Sequence, residues 1–248
     1  MISAETLYDD IVSQHYDRDH FDLQASSHAA GLAQLRQSGF AGHTALDIGC
    51  GTGNFLLKLH QAYPRLQLWG LDPSQKMLAI AKTKQAADYV AGTVETVAFA
   101  QRFDLISFHF VLAYEALEKL LDFTARYLAP NGTVLIGTTT MENFPETFAR
   151  CDFLDFDLLS GFVSNPVSFD ALQSRIADHG AFRIADHQPQ VKTLEFPTRE
   201  LLHEFVFHSG WASDISLAFK DQFEALINGA DYPYRDTFKS HSLLLRRL

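Results

Sequence analysis

The run Ala45-Leu46-Asp47-Ile48-Gly49-Cys50-Gly51-Thr52-Gly53-Asn54 sets a carboxylate and three glycines where a buried apolar strand turns into a helix. Glycine lets backbone amides approach a ligand closely, and the helix start behind the turn presents N–H groups with no intrahelical partner. Such a turn suits a nucleoside cofactor. A dinucleotide site would space its glycines G-x-G-x-x-G and cradle a pyrophosphate, whereas the acid at this strand tip would repel a diphosphate and suits a cation. A second apolar strand, 66–71, ends on Asp72, twenty-five positions after Asp47 and near the distance that one strand-helix-strand unit requires. Asp72 is then placed to accept both hydroxyls of a ribose. Ser74 reads equally as a helix N-cap, Met77 as a core residue and Cys50 as a small filler of the glycine turn.

The D-x-G-x-G-x-G pattern resembles motif I of the class I S-adenosylmethionine (SAM) methyltransferases, whose cofactor offers a cationic methionine end and no pyrophosphate. Pro73-Ser74-Gln75-Lys76-Met77-Leu78 is similar to the family's helix opening after the second acid. Phe103-Asp104-Leu105-Ile106 resembles its motif IV, and Pro130-Asn131-Gly132 its Pro-Gly-Gly turn. The resemblance implies a cofactor set of Asp47, Gly49, Cys50, Gly51, Asp72, Pro73, Met77, Thr93, Val94 and His109, with SAM as the cofactor. Where family members often carry Gly-Asp-Ala-Glu, this chain has Gly92-Thr93-Val94-Glu95. A threonine hydroxyl can still accept a hydrogen bond from adenine, and Val94 supplies a backbone N–H whatever its side chain.

His109 falls at the tip of the motif IV strand, which in many members lines the methionine end and faces the acceptor; it is the first candidate for a base or polar orienter. A hydrogen-bonded loop histidine is the plain alternative. Gln14-His15-Tyr16-Asp17 resembles the Tyr-containing first helix that closes over the cofactor in small-molecule methyltransferases, which makes Tyr16 a cover for the reacting methyl and His15 a second base candidate. Tyr114 and Glu115 could reach the same mouth. The motif order and Tyr232-Pro233 also look like the malonyl-acyl-carrier-protein O-methyltransferases of biotin synthesis. The expected activity is methyl transfer to the oxygen or nitrogen of a small, apolar or aromatic acceptor. A carrier-bound malonyl carboxylate and a SAM-binding protein without transfer activity are the alternatives.

Elements to position these residues follow in order. Apolar strands at 44–48, 66–71, 88–91, 103–108 and 133–138 alternate with helical patterns at 53–63, 74–85 and 114–128, which is the signature of a parallel sheet. Helices at 5–16 and 24–38 precede the first strand and form an N-terminal helical cap over 1–40. Ser168 caps a helix to His179 with Gly180 as its stop, then come a strand at 181–195, helices at 198–209 and 215–228 and a last strand, 241–247. The expected fold is α/β: one domain over 1–248, a Rossmann-like seven-stranded sheet, mostly parallel with one antiparallel strand, and helices on both faces. Segments 141–167 and 196–230 carry Phe144, Phe148, Phe153, Phe156, Phe162, Phe196, Phe205, Phe207 and Trp211, and are expected to form a lid and acceptor pocket over the carboxyl edge.

Composition sets the outer bounds. A formal net charge of -10 argues against a nucleic-acid groove, so a small-molecule or carrier-bound acceptor is favoured. Two cysteines give neither a disulfide framework nor a metal set. Neither a signal peptide nor an apolar run of about 20 residues is read, so the expectation is a cytoplasmic monomer or homodimer with no membrane partner.

Overall fold

In the first strand, β1 (Thr44–Ile48), every residue after Thr44 is buried, the pattern of a strand covered by helices on both faces. The computed structural model describes residue 9 and residues 12–154, 168–211 and 213–248. Six more strands join β1: β2 (Gln67–Asp72), β3 (Asp88–Ala91), β4 (Phe103–His109), β5 (Leu128–Thr138), β6 (Phe182–Phe196) and β7 (Tyr234–Arg247). Their order is β3-β2-β1-β4-β5-β7-β6. Only β7 opposes its neighbours, pairing antiparallel with both β5 and β6. The expected Rossmann-like sheet with one antiparallel strand is therefore the fold found.

Helices cover both faces. α1 (Leu23–Gln37), α2 (Asn54–Ala62) and α3 (Gln75–Thr83) bury Leu35, Phe55, Leu59 and Leu78 against Leu105 and Leu135 on one side. α4 (Leu117–Tyr127) and, after the four-residue α5 (Pro145–Phe148), α6 (Phe169–His179) bury Leu120, Leu121, Leu172 and Ile176 against Ile106 and Val134 on the other. Capping explains several boundaries: the Asp19 carboxylate accepts the amides of Leu23, Gln24 and Ala25, Ser74 accepts that of Met77, and Ser168 that of Ala171.

A third cluster lies beyond the sheet's carboxyl edge. β5 ends in register with Thr138 opposite His241, while β6 and β7 continue as a two-stranded arm from Gln190 opposite Ser240 to Phe196 opposite Tyr234. On this arm sit α7 (Arg199–His208), α8 (Ser213–Ala218) and α9 (Lys220–Asn228). Phe196, Phe205, Phe223 and Phe238 are buried there, with Phe144, Phe148 and Phe153 packed against them. The described parts of 141–167 and 196–230 thus meet over the carboxyl edge. Phe156 and Phe162 lie outside the described residues. Among the described residues, no helix is long and apolar enough to cross a membrane.

The structure departs from the sequence reading at several ends. Of the expected helix at 5–16, residues 5–8, 10 and 11 lie outside the described residues, 9 and 12 are helical, and 13–15 are a turn leading into a 3-10 turn at Tyr16–Arg18. The helix expected at 114–128 begins only at Leu117, because Phe110 takes φ +60° and a 3-10 turn, Val111–Ala113, intervenes. The helix expected at 215–228 is two, broken at Phe219. β7 begins at Tyr234 rather than His241, since its first half pairs with β6 in the arm.

Candidate active site

Strand order reverses between β1 and β4, and open parallel sheets take ligands at the carboxyl ends of strands beside such a reversal. A cleft of about 270 Å3 opens there. Its walls include Tyr16, Gly49, Gly51, Asp72, Pro73, Met77, Thr93, Val94 and His109 among the residues expected from sequence, together with Tyr114 and Glu115.

The floor is the glycine turn. Gly49 and Gly51 turn at φ +66° and +53°, a region that side chains other than glycine's strain to adopt. A Cβ on Gly49 would fall 2.4 Å from Val111 Cγ2, and one on Gly51 would fall 3.3 Å from Met77 Cε and 3.5 Å from the Tyr16 ring. The amides of Gly49 and Cys50 donate to the Leu71 carbonyl at 2.7 and 3.1 Å, drawing the turn onto the end of β2. Asp72 then accepts from the Gly51 amide at 2.8 Å and the Ser74 amide at 2.9 Å. Burial raises its pKa, with the two amides pulling the other way. Both oxygens keep lone pairs for a ligand's hydroxyls.

Tyr16 is held over this floor by its neighbour. The Asp17 carboxylate accepts from the Thr52 hydroxyl at 2.5 Å, the Asn54 amide at 2.9 Å and the Lys84 ammonium at 3.0 Å, pinning the 3-10 turn to the start of α2 and the end of α3. His109 is 8% exposed, and neither ring nitrogen has a partner. Its ring lies 4.3 Å from Phe55 and 4.9 Å from His28, centroid to centroid. Burial first, and then the field of Lys58, push its pKa down to about 3. It is a neutral imidazole at working pH. At the far end Thr93 is drawn into a local turn, its amide donating to the Thr96 hydroxyl at 2.9 Å and its own hydroxyl accepting from the Glu95 amide at 3.3 Å.

Three expected side chains do not line the cleft. Asp47 is 3% exposed and accepts from the Ser107 hydroxyl at 2.7 Å. Burial, with Ser107 pulling down and the Asp72 charge pushing up, raises its pKa to about 7. The Cys50 thiol packs into the core beside Leu56 and Tyr89, where burial lifts its pKa well above the usual thiol range; the small-filler reading describes its place. His15 belongs to a separate small pocket, 3.7 Å from Glu204 and stacked on His208, so the turn that brings Tyr16 inward carries its neighbour outward.

Sequence reasoning missed Phe110, Val111 and Leu120, which complete the wall. Phe110 pays for its place with a left-handed backbone, conformational strain that ordinarily costs about 1–3 kcal/mol. Its amide donates to the Gly137 carbonyl at 2.7 Å, and its ring meets Trp211 edge-on at 4.6 Å, joining the cleft to the arm's cluster. An apolar residue after an apolar strand gives no sign of that break.

Residues 45–132 match a family described as a methyltransferase domain. The whole chain superposes on a SAM-dependent methyltransferase of Geobacter sulfurreducens in complex with S-adenosyl-L-homocysteine (SAH), with a TM-score of 0.64 over 100% of both chains at 15% identity. Residues 45–132 thus resemble a methyltransferase domain, and the fold of the chain is that of a SAM-dependent methyltransferase. Among curated methyltransferases the chain is 32% identical over 135 residues to the malonyl-[acyl-carrier protein] O-methyltransferase of Enterobacter lignolyticus, covering 53% of this chain and 52% of that one. It is 25% identical to the enzyme of the same name from Priestia megaterium over 87% of this chain and 85% of that one. The chain thus spans about half the length of the first of these relatives.

The residues of this cleft fit SAM on grounds of their own. Two glycines whose Cβ atoms would fill the floor leave room for a ligand, and a backbone-anchored carboxylate faces that room. A buried imidazole with two unpartnered nitrogens lines the same cleft.

Proposed function

We propose that this protein transfers a methyl group from SAM to the oxygen or nitrogen of a small, apolar or aromatic acceptor. The cofactor, when bound, supplies an activated methyl on a cationic sulfur, so the protein's work is positioning and exclusion of water. The observation that carries the reading is the Asp72 carboxylate, fixed by the amides of Gly51 and Ser74 on the floor of a cleft that Tyr16 and His109 also line.

In this reading Asp72 accepts the ribose hydroxyls and Met77 and Val94 flank the adenine. Because the Thr93 hydroxyl is engaged with Glu95, the Val94 backbone carries more of the adenine recognition. Gly49 and Gly51 let the methionine end lie against the backbone. Buried Asp47 acts on that end through its field. Tyr16 covers the methyl, and neutral His109 orients the acceptor by hydrogen bonding. The arm and the described part of 141–167 shield the mouth, with Phe110 and Trp211 as the link. A carrier-bound malonyl acceptor is the second reading, favoured by the Priestia megaterium relative that the chain matches over 85% of its length.

Transfer is tested with SAM labelled in its methyl group and a cell extract. Labelled product should form in proportion to enzyme and stop on addition of SAH. SAH binding with no product from any fraction would establish a SAM-binding protein without transfer activity.

A further inference from the structure

The charges that line the cleft set limits on the acceptor. The ionisable wall residues are Asp72, Glu115, Tyr16, Tyr114 and His109, and none of the 20 lysines and arginines is among them. The stretches outside the described residues contain no lysine, arginine or histidine side chain. Arg18 is paired with Glu204 between the N-terminal turn and α7, and Lys58 reaches His109 only through its field. A carboxylate placed here would stand beside Asp72, with Lys119 already drawn to Glu95 and Glu115 and only the cofactor's sulfonium to compensate its burial, a costly arrangement.

A hydroxyl acceptor meets a different obstacle. It must lose its proton as it attacks, and a general base works best with a pKa near the operating pH. His109 is packed between Phe55 and His28 with no carboxylate against its ring to raise its basicity. Its depressed pKa, about 3, agrees with that geometry. Asp72 is held by two backbone amides, and Glu115 is turned to its own helix start and to Lys119.

Resting on the transferase reading, we infer that the acceptor atom is a nitrogen that enters the cleft uncharged, an amine or a ring nitrogen, rather than a carboxylate or hydroxyl oxygen. Such an atom needs neither a cationic partner nor a base before attack. Its lone pair forms the N–C bond as the S–C bond breaks, and the sulfur keeps that bonding pair and becomes the neutral thioether of SAH. The proton then leaves the alkylated nitrogen for water. An apolar cleft already holding a sulfonium favours the uncharged amine over its ammonium form.

The test uses the full chain, methyl-labelled SAM, and both the small-molecule and protein fractions of an extract of the cells that carry the protein. Products are sorted by release of volatile label in mild base, which marks methyl esters, and by release of methyl iodide in hot hydriodic acid, which marks methyl ethers. Label that survives both treatments, on nitrogen, is expected in at least tenfold excess. The kcat/KM for the purified acceptor should rise with pH and level off above the acceptor's own pKa. Volatile label in base, or label released as methyl iodide, would overturn the inference while leaving the transferase reading in place. SAH binding without any labelled product would instead remove the reading on which the inference rests.

Discussion

Asp72 is the side chain on which cofactor binding turns in the proposed reading. Replacing it with alanine leaves the amides of Gly51 and Ser74 without their acceptor and, on that reading, removes a charged hydrogen-bond partner of the ribose. Hydrogen bonds to charged groups are worth about 1–3 kcal/mol, so calorimetry should show SAH binding weakened by about 5- to 150-fold in Asp72→Ala. Asp47 governs a pH dependence instead. Its pKa, about 7 in the fold, lies above that of the unfolded chain, so the folded state holds a proton that the unfolded state has lost. Stability from this group therefore falls as pH rises toward 7 and is level above it. Urea midpoints at pH 5 and pH 8 should show Asp47→Asn gaining on the parent by about 2–3 kcal/mol at the higher pH, at about 1.4 kcal/mol per unit. An unchanged difference between the two proteins would mean that Asp47 is ionised throughout.

At the scale of elements, the N-terminal turn and the arm meet beside the cleft, through Arg18 and Glu204 and through the rings of Phe21 and Phe205. Asp17 ties the turn to Thr52, Asn54 and Lys84, so Asp17→Ala should speed amide exchange over 12–22 and weaken SAH binding several-fold, with the sheet's exchange unchanged. In the arm, Phe205 meets the rings of Phe21, Phe144 and Phe196, and Phe205→Ala should cost about 3–5 kcal/mol in chemical denaturation. The strands beneath were legible because β1 and β2 are apolar runs that each carry an acid near the tip. The first half of β7 was not. Its inward residues Tyr234, Asp236, Phe238 and Ser240 alternate as a strand should, but half are polar. Asp236 is buried there because it accepts the amides of Glu146 and Thr147, a partnership no local pattern announces. His15 and Tyr16 show the same limit, since which neighbour faces inward depends on a turn that the sequence read as a helix.

Over the whole molecule, an acidic chain of net charge -10 folds a Rossmann-like sheet whose carboxyl edge carries the cleft and the arm above it. Within one strand-helix-strand unit, spacing placed Gly49, Gly51 and Asp72 at the cleft, but did not show which of their neighbours turn into the core, as Asp47 and Cys50 do. The contact between Phe110 and Trp211 was not readable, because 100 residues of chain intervene between the two. The central claim is that this cleft holds SAM with its methyl end toward Tyr16 and His109. A crystal structure with SAH tests it most directly. The account predicts ribose hydroxyls on Asp72, adenine beside Val94 and Met77, and the sulfur facing the Tyr16 and His109 end. SAH bound elsewhere, or lying in the cleft with its sulfur at the Thr93 end, would contradict it.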